Sequence, residues 1–498
     1  MSRGRNQPGA VRRAPIGGGA RRVAWAAGVV IAVAAALTAW AGTRPSFDAY
    51  GWLTWGHMTL HGGLDTNAAP SWKPLPYLFT LVFGVFGPGV QWRLWMATSI
   101  AVSLAGLVWS GRLAWRLSEA GEPGADGPAG PWHAARRIAP AAAAALAVVG
   151  LLCLRDEFGE GYLHYILSAQ TDPMIVACVL GALDCRLHGR ERSAFGLLVL
   201  AALGRPESWP LLVLDGWWLW RRRPGFRWAV ATGAAAVALL WFGVPALSAR
   251  SWFVAGENAL ASGGAPHGNR VLGTLQRFTG QLPWPLAVAA VAAVGLAVLR
   301  RDRLELALGG AIVVWVALEV VFALHGWPAF GRYMFEPAAI VVVLGAAFVG
   351  RLLGGLGVGS GRAAAGALAL GVALAACLIP IAVVRGRQAR AGIVGQRART
   401  ASIDALSATI GRLGGAARIR ACGEAISDGL TTQTVLAFDL GRNVSAIGYR
   451  FPQPGHRHNP VVVFTPRGRG WVVRTHRQVT AACRALSGPG ARGTARRS

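Results

Sequence analysis

The chain has 498 residues, 53% of them hydrophobic and only 14% charged. A soluble globular protein carries roughly 25% charged residues, so an ordinary soluble domain is excluded and most of the chain is expected in lipid, where a mid-bilayer charge costs about 2.5–3.5 kcal/mol. The net charge of +28 suits nucleic acid at first sight, but the arginines fall between apolar runs and in the two tails, as in loops held on the cytoplasmic side of a membrane; no nucleic-acid partner is expected.

Residues 1–22 are rich in Arg, Gly and Pro and read as a disordered cytoplasmic tail. Val23 to Ala41 is the first apolar run, longer than a signal-peptide core of about 7–15 residues, so it reads as an uncleaved signal anchor. Ten further runs follow: Trp92–Leu117, Ile138–Leu154, Pro173–Leu187, Ser193–Gly204, Ser208–Trp220, Phe226–Leu247, Pro283–Leu299, Leu304–Leu324, Pro337–Leu353 and Ala363–Val384. Pro74–Gly87 is also apolar but short of the roughly 20 residues that span a bilayer. If it lies on the outer interface, Arg112, Arg116, Arg136, Arg137, Arg190, Arg192, Arg221–Arg223, Arg300 and Arg301 all face the cytoplasm; if it spans, all are outside. The positive-inside rule selects the first arrangement. The same rule makes Ser193–Trp220 a hairpin turning at Gly204-Arg205-Pro206-Glu207, and Gly121–Pro131 a flexible cytoplasmic linker.

The expected fold is therefore mainly α: a polytopic membrane helix bundle of about eleven transmembrane helices over residues 23–384, followed by a small extracytoplasmic α/β domain over 385–498. In that domain Thr400–Leu413 reads as a helix, and Val435–Phe438 and Val461–Phe464 as strands. The localisation implied is the plasma (inner) membrane, multi-pass, with the N-terminus cytoplasmic. Cys422 and Cys483 flank the outer domain, where oxidising conditions allow a disulfide.

Chemistry-bearing residues gather in the outer loops. Phe47-Asp48-Ala49-Tyr50 opens the first; Lys73, the sole lysine, stands in Ser71-Trp72-Lys73-Pro74-Leu75-Pro76; Arg155-Asp156-Glu157 opens the second; Arg205 and Glu207 form the hairpin turn; Gly331-Arg332-Tyr333 lies in the last. Loop acids are ordinarily just hydrated, and Arg205 with Glu207 fits a capping ion pair equally well. Asp48 and Lys73 differ in being embedded among Trp, Tyr and Pro beside the bilayer. No HExxH or CxxC spacing provides a metal site.

The order of these features resembles the GT-C glycosyltransferases, multispanning enzymes that use polyprenyl-phosphate-linked sugars and include protein mannosyltransferases and the aminoarabinose transferase of lipid A. The resemblance covers roughly Val23 to Val384. It rests on a first-loop acid (Asp48, with Tyr50), a Lys/Pro-rich start to a juxtamembrane helix ending in Phe86-Gly87, the second-loop acids Asp156 and Glu157, and the late Arg332-Tyr333 pair. Arg205-Pro206-Glu207-Ser208-Trp209-Pro210 looks like a subgroup of uncharacterised actinobacterial members. The resemblance implies sugar transfer to an extracytoplasmic acceptor, with Asp48 catalytic and Tyr50, Lys73, Asp156, Glu157, Arg205, Glu207, Arg332 and Tyr333 binding substrate. The second loop lacks the Asp-x-Asp of many relatives, so a divalent metal is left open. The competing readings are a transporter or flippase of lipid-linked substrates, and a non-catalytic envelope-assembly protein.

Overall fold

In the computed structural model the described residues are 17–119, 133–355, 361–449, 460–468, 470–476 and 483. The N-terminal tail before residue 17 and the 121–131 linker lie outside them. Nineteen α-helices are present among these residues. The first half contains α1 (Gly17–Ala41), α2 (Phe47–Leu60), α3 (Pro74–Gly84), α4 (Pro88–Glu119), α5 (His133–Leu152), α6 (Tyr162–Leu167), α7 (Asp172–Leu187), α8 (Glu191–Gly204) and α9 (Trp209–Arg222). Then come α10 (Arg227–Ala238), α11 (Val244–Ser248), α12 (Val254–Ala261), α13 (Arg270–Gln281), α14 (Trp284–Arg300), α15 (Arg303–Leu324) and α16 (Phe335–Leu353). The last three are α17 (Arg362–Arg412), α18 (Gly415–Cys422) and α19 (Leu430–Leu440).

Each of the eleven apolar runs is helical. Five described helical segments are long and apolar enough to cross a membrane, and a sixth if α13 and α14, bent by 107° at their junction, count as one. The hairpin arms α8 and α9 have 14 residues each, about 21 Å at 1.5 Å per residue, short of a hydrocarbon core of about 30 Å. Helix α16 is the axis of the bundle: nearly all of its side chains are buried, against α4, α5, α7 and α14. The run Phe226–Leu247 is one path broken by a π-turn at Leu239–Gly243.

Three features depart from the sequence reading. The stretch after α1 holds a helix, α2, started by Ser46, whose Oγ accepts from the Ala49 N–H, with Asp48 in the first turn where the helix dipole favours an anion. Helix α2 lies so close to α3 that a Cβ on Gly56 would stand 2.5 Å from the Thr80 backbone. Thr400–Leu413 is the end of a 51-residue helix, α17, about 77 Å long, which runs unbroken through position 385 into the C-terminal domain. Val435–Phe438 is a correction: it is helical, inside α19, which ends at the left-handed Gly441. A four-residue apolar run has too few turns to distinguish the two periods, and here it packs against α2, with the Tyr50 and Phe438 rings 5.6 Å apart.

The C-terminal sheet has the order β2-β1-β3-β4, where β1 is Glu424–Ser427, β2 Ile447–Gly448, β3 Val461–Arg467 and β4 Gly470–His476. β1 is parallel to β2 and β3, and β3 is antiparallel to β4. Val461–Phe464 is a strand as expected, and the Cys422–Cys483 disulfide is formed, with Cα atoms 5.5 Å apart. The domain is tied to the start of the bundle. Thr434 Oγ1 donates to the Phe47 carbonyl at 2.8 Å, Asn443 Nδ2 to Gly63 O at 2.5 Å, and Arg397 Nε to Ala41 O at 2.8 Å.

Candidate active site

The start of α2, the start of α3, the start of α7, the α8–α9 turn and the turn before α16 meet at one end of the bundle. Asp48 is brought there by the Ser46 cap and by the Ser46 N–H, which donates to Ser168 O at 2.9 Å. Lys73 is the residue before Pro74, which starts α3 with its φ already helical. Its Nζ donates to Thr171 Oγ1 at 3.2 Å and lies 5.5 Å from the Trp52 ring centre. Burial lowers the Lys73 ammonium to about 8, against the pull of neighbouring Asp172. Arg332 sits in the 3-10 turn Gly331–Met334, and its Nη1 is 3.7 Å from Asp48 Oδ2.

Behind this front lies a buried ionic hub. Arg205 is 3% exposed and bonds Asp172 through Nη2; its Nη1 lies 3.6 Å from Glu207 Oε1, and its Nε 3.7 Å from Glu336 Oε1. Its guanidinium stacks 4.2 Å from the Tyr333 ring centre. Glu319 on α15 faces Glu207 in the same cluster. Arg205 therefore joins the α8–α9 turn to α7 and α16, which is more than a local capping pair. Several polar atoms here are buried without a hydrogen-bond partner, among them Asp172 Oδ2, Arg332 Nε, Glu207 Oε2 and both carboxylate oxygens of Glu319 and Glu336, so the site has unmet donor and acceptor capacity.

The second-loop acids make their contacts within and between loops. Asp156 accepts from the N–H groups of Phe158 and Glu160 and from the Tyr165 hydroxyl, folding its own loop. Glu157 accepts from the Gly331 N–H at 2.7 Å and pairs with Arg277 at 3.3 Å, so it holds the Arg332 turn in place. Any side chain at Gly331 would meet Glu157, with a Cβ 2.7 Å from Oε2. Tyr50 is buried toward α19, away from the cluster. Asp48, Lys73, Arg205, Glu207, Arg332 and Tyr333 thus come together, whereas Tyr50, Asp156 and Glu157 support them. Asp172, Glu319 and Glu336 join the cluster although the sequence gives them no binding role; Asp172 and Glu336 start helices and Glu319 lies within α15, and what links them becomes visible only once Arg205 is seen among them. Among the described residues no group of three or more His, Cys, Asp and Glu is arranged to hold a metal ion.

No protein-family model matches the chain. No curated protein matches it either. Among solved structures, that of ArnT from Cupriavidus metallidurans bound to undecaprenyl phosphate is similar at 15% identity, covering 95% of this chain and 100% of that one, with a TM-score of 0.46. That likeness is too distant to carry residue roles.

Proposed function

We propose that this protein is a GT-C-like membrane glycosyltransferase that moves a sugar from a polyprenyl-phosphate donor to an extracytoplasmic acceptor. The observation that carries the reading is the meeting of one carboxylate, Asp48, with two cations, Arg332 and Lys73, at the end of a membrane helix bundle. In the reaction the acceptor hydroxyl oxygen bonds to the anomeric carbon while the bond from that carbon to the phosphate oxygen breaks. Asp48 takes the hydroxyl proton as general base. The departing lipid phosphate gains charge, so Lys73 and Arg332 stabilise the transition state more than the bound donor. The buried acceptor and donor atoms on Asp172 and Arg332 suit sugar hydroxyls. Arg205 positions Asp172 and Tyr333 and touches no reacting atom. In this arrangement the site faces outward, the N-terminus is cytoplasmic, and the C-terminal domain braces α2 from outside.

The test is transfer of labelled sugar from membranes that carry the lipid-linked donors of the host. Asp48→Asn is expected to lower the rate about 10²–10⁴-fold, the usual loss for a general base, with expression and melting unchanged. Transfer at the parent rate by that variant would remove Asp48 from the chemistry.

A further inference from the structure

Away from the site described, α5 and α17 enclose a groove of about 430 Å³ lined only by apolar side chains, among them Val149, Leu378 and Val383. One turn further along the same two helices, at Leu152 and Arg385, the lining becomes polar, with a pocket of about 40 Å³ that also touches Glu160, His164, Gln388 and Gln396. A water needs about 10–15 Å³ on this scale, so the pocket holds a group the size of a few waters. Arg385 lines this pocket and Arg155 stands near enough to repel it; the Nε of each is buried without a partner, while Arg385 Nη1 donates to Gln388 Oε1 at 3.0 Å and Arg155 attracts the Glu160 carboxylate. The nearby acid, Glu160, is bonded to His164 at 2.9 Å. Burial lowers His164 to about 4, so it is neutral at physiological pH and brings no cation of its own. Arg387 and Arg390 stand exposed on the next turn of α17. Two neighbouring guanidinium groups that share the single acid Glu160 keep a net positive charge, which an anion would offset.

We propose that this groove and pocket form a binding site for an anionic glycerophospholipid, its acyl chain between α5 and α17 and its phosphate on Arg155 and Arg385. The groove runs over about 12 Å of helix, from Ala375 to Val383, close to the depth of one leaflet of about 15 Å and far less than a long polyprenyl chain would fill. Guanidinium groups suit the phosphate because they offer paired donors at fixed geometry. The site is independent of the proposed sugar transfer, and its test reads lipid retention alone.

The experiment uses the full chain, delipidated in detergent and titrated with phosphatidylglycerol or phosphatidylcholine, with bound lipid counted by native mass spectrometry. The expected result is one retained phosphatidylglycerol, preferred about tenfold or more over phosphatidylcholine, a ratio equivalent to about one charge-assisted hydrogen bond. Arg155→Gln with Arg385→Gln should abolish the preference; Leu378→Trp, which fills the groove and leaves both arginines, should lower retention of both lipids. Lys73→Ala should change neither. Equal retention of the two lipids by the parent protein, or an unchanged preference in a folded Arg385→Gln variant, would overturn the proposal.

Discussion

Arg205→Gln should be among the most damaging single changes in this protein. The guanidinium is 3% exposed and lies among Asp172, Glu207 and Glu336, which are 1%, 6% and 0% exposed. Its loss leaves these carboxylates facing one another without a cation, and deleting one partner of a buried pair costs about 3–5 kcal/mol. Part of that cost is the stranded charge of Asp172, so Arg205→Gln combined with Asp172→Asn should lose less than the sum of the two single changes. Residues in direct contact ordinarily couple by about 0.5–3 kcal/mol. Thermal melting in detergent, read from tryptophan emission, gives the four corners of that cycle. Strictly additive losses, or an Arg205→Gln variant that melts with the parent, would refute the hub as the element joining the α8–α9 turn to α7 and α16.

Three further outcomes follow from other parts of the chain. Lys73 is a cation only below its lowered value of about 8, so donor affinity should be full at pH 7 and fall as the pH rises through 8; Lys73→Arg should flatten that alkaline limb in a binding titration. The Cys422–Cys483 bridge closes a separation of 61 residues, so its removal by Cys→Ala substitution should destabilise the C-terminal domain by up to about 4 kcal/mol on the chain-entropy account, seen as faster proteolysis after α17. Burial raises Asp439 to about 6, against the hydrogen bond from Ser407. Its stabilising contribution is thus present below about pH 4 and lost as the pH rises through 6, and Asp439→Asn should gain about 3 kcal/mol at pH 7.5 and almost nothing at pH 4, measured by denaturant melting at the two pH values.

How much of this was legible from sequence differs by element. The bundle is legible because eleven apolar runs separated by arginines admit few arrangements, and the shortness of Pro74–Gly87, helical over Pro74–Gly84, marks it as different in kind from a full span. Helix α2 was hidden because its Trp, Tyr, Gly and His residues form no long apolar run, although Ser46 with Asp48 two residues later is a helix-start signal. The Asp48, Lys73 and Arg332 group was legible in kind, since three polar residues stood beside the bilayer among aromatics. Its wiring is not: the lone pairs of Asp156 fold its own loop, whereas Asp172, to which the sequence assigns no partner, bonds Arg205. Sequence spacing carries no information on which of several acids a distant guanidinium will choose.

The central claim is that Asp48, Lys73 and Arg332 receive a lipid-linked phosphate and its sugar. An experimental structure of the protein in nanodiscs with a polyprenyl phosphate added tests it most directly. Phosphate density is expected in contact with Lys73 Nζ and the Arg332 guanidinium, beside the Asp48 carboxylate, with the isoprenoid chain leaving sideways into lipid. Phosphate density elsewhere on the bundle, with Lys73 still bonded to Thr171 and Arg332 still paired with Asp48, would contradict it.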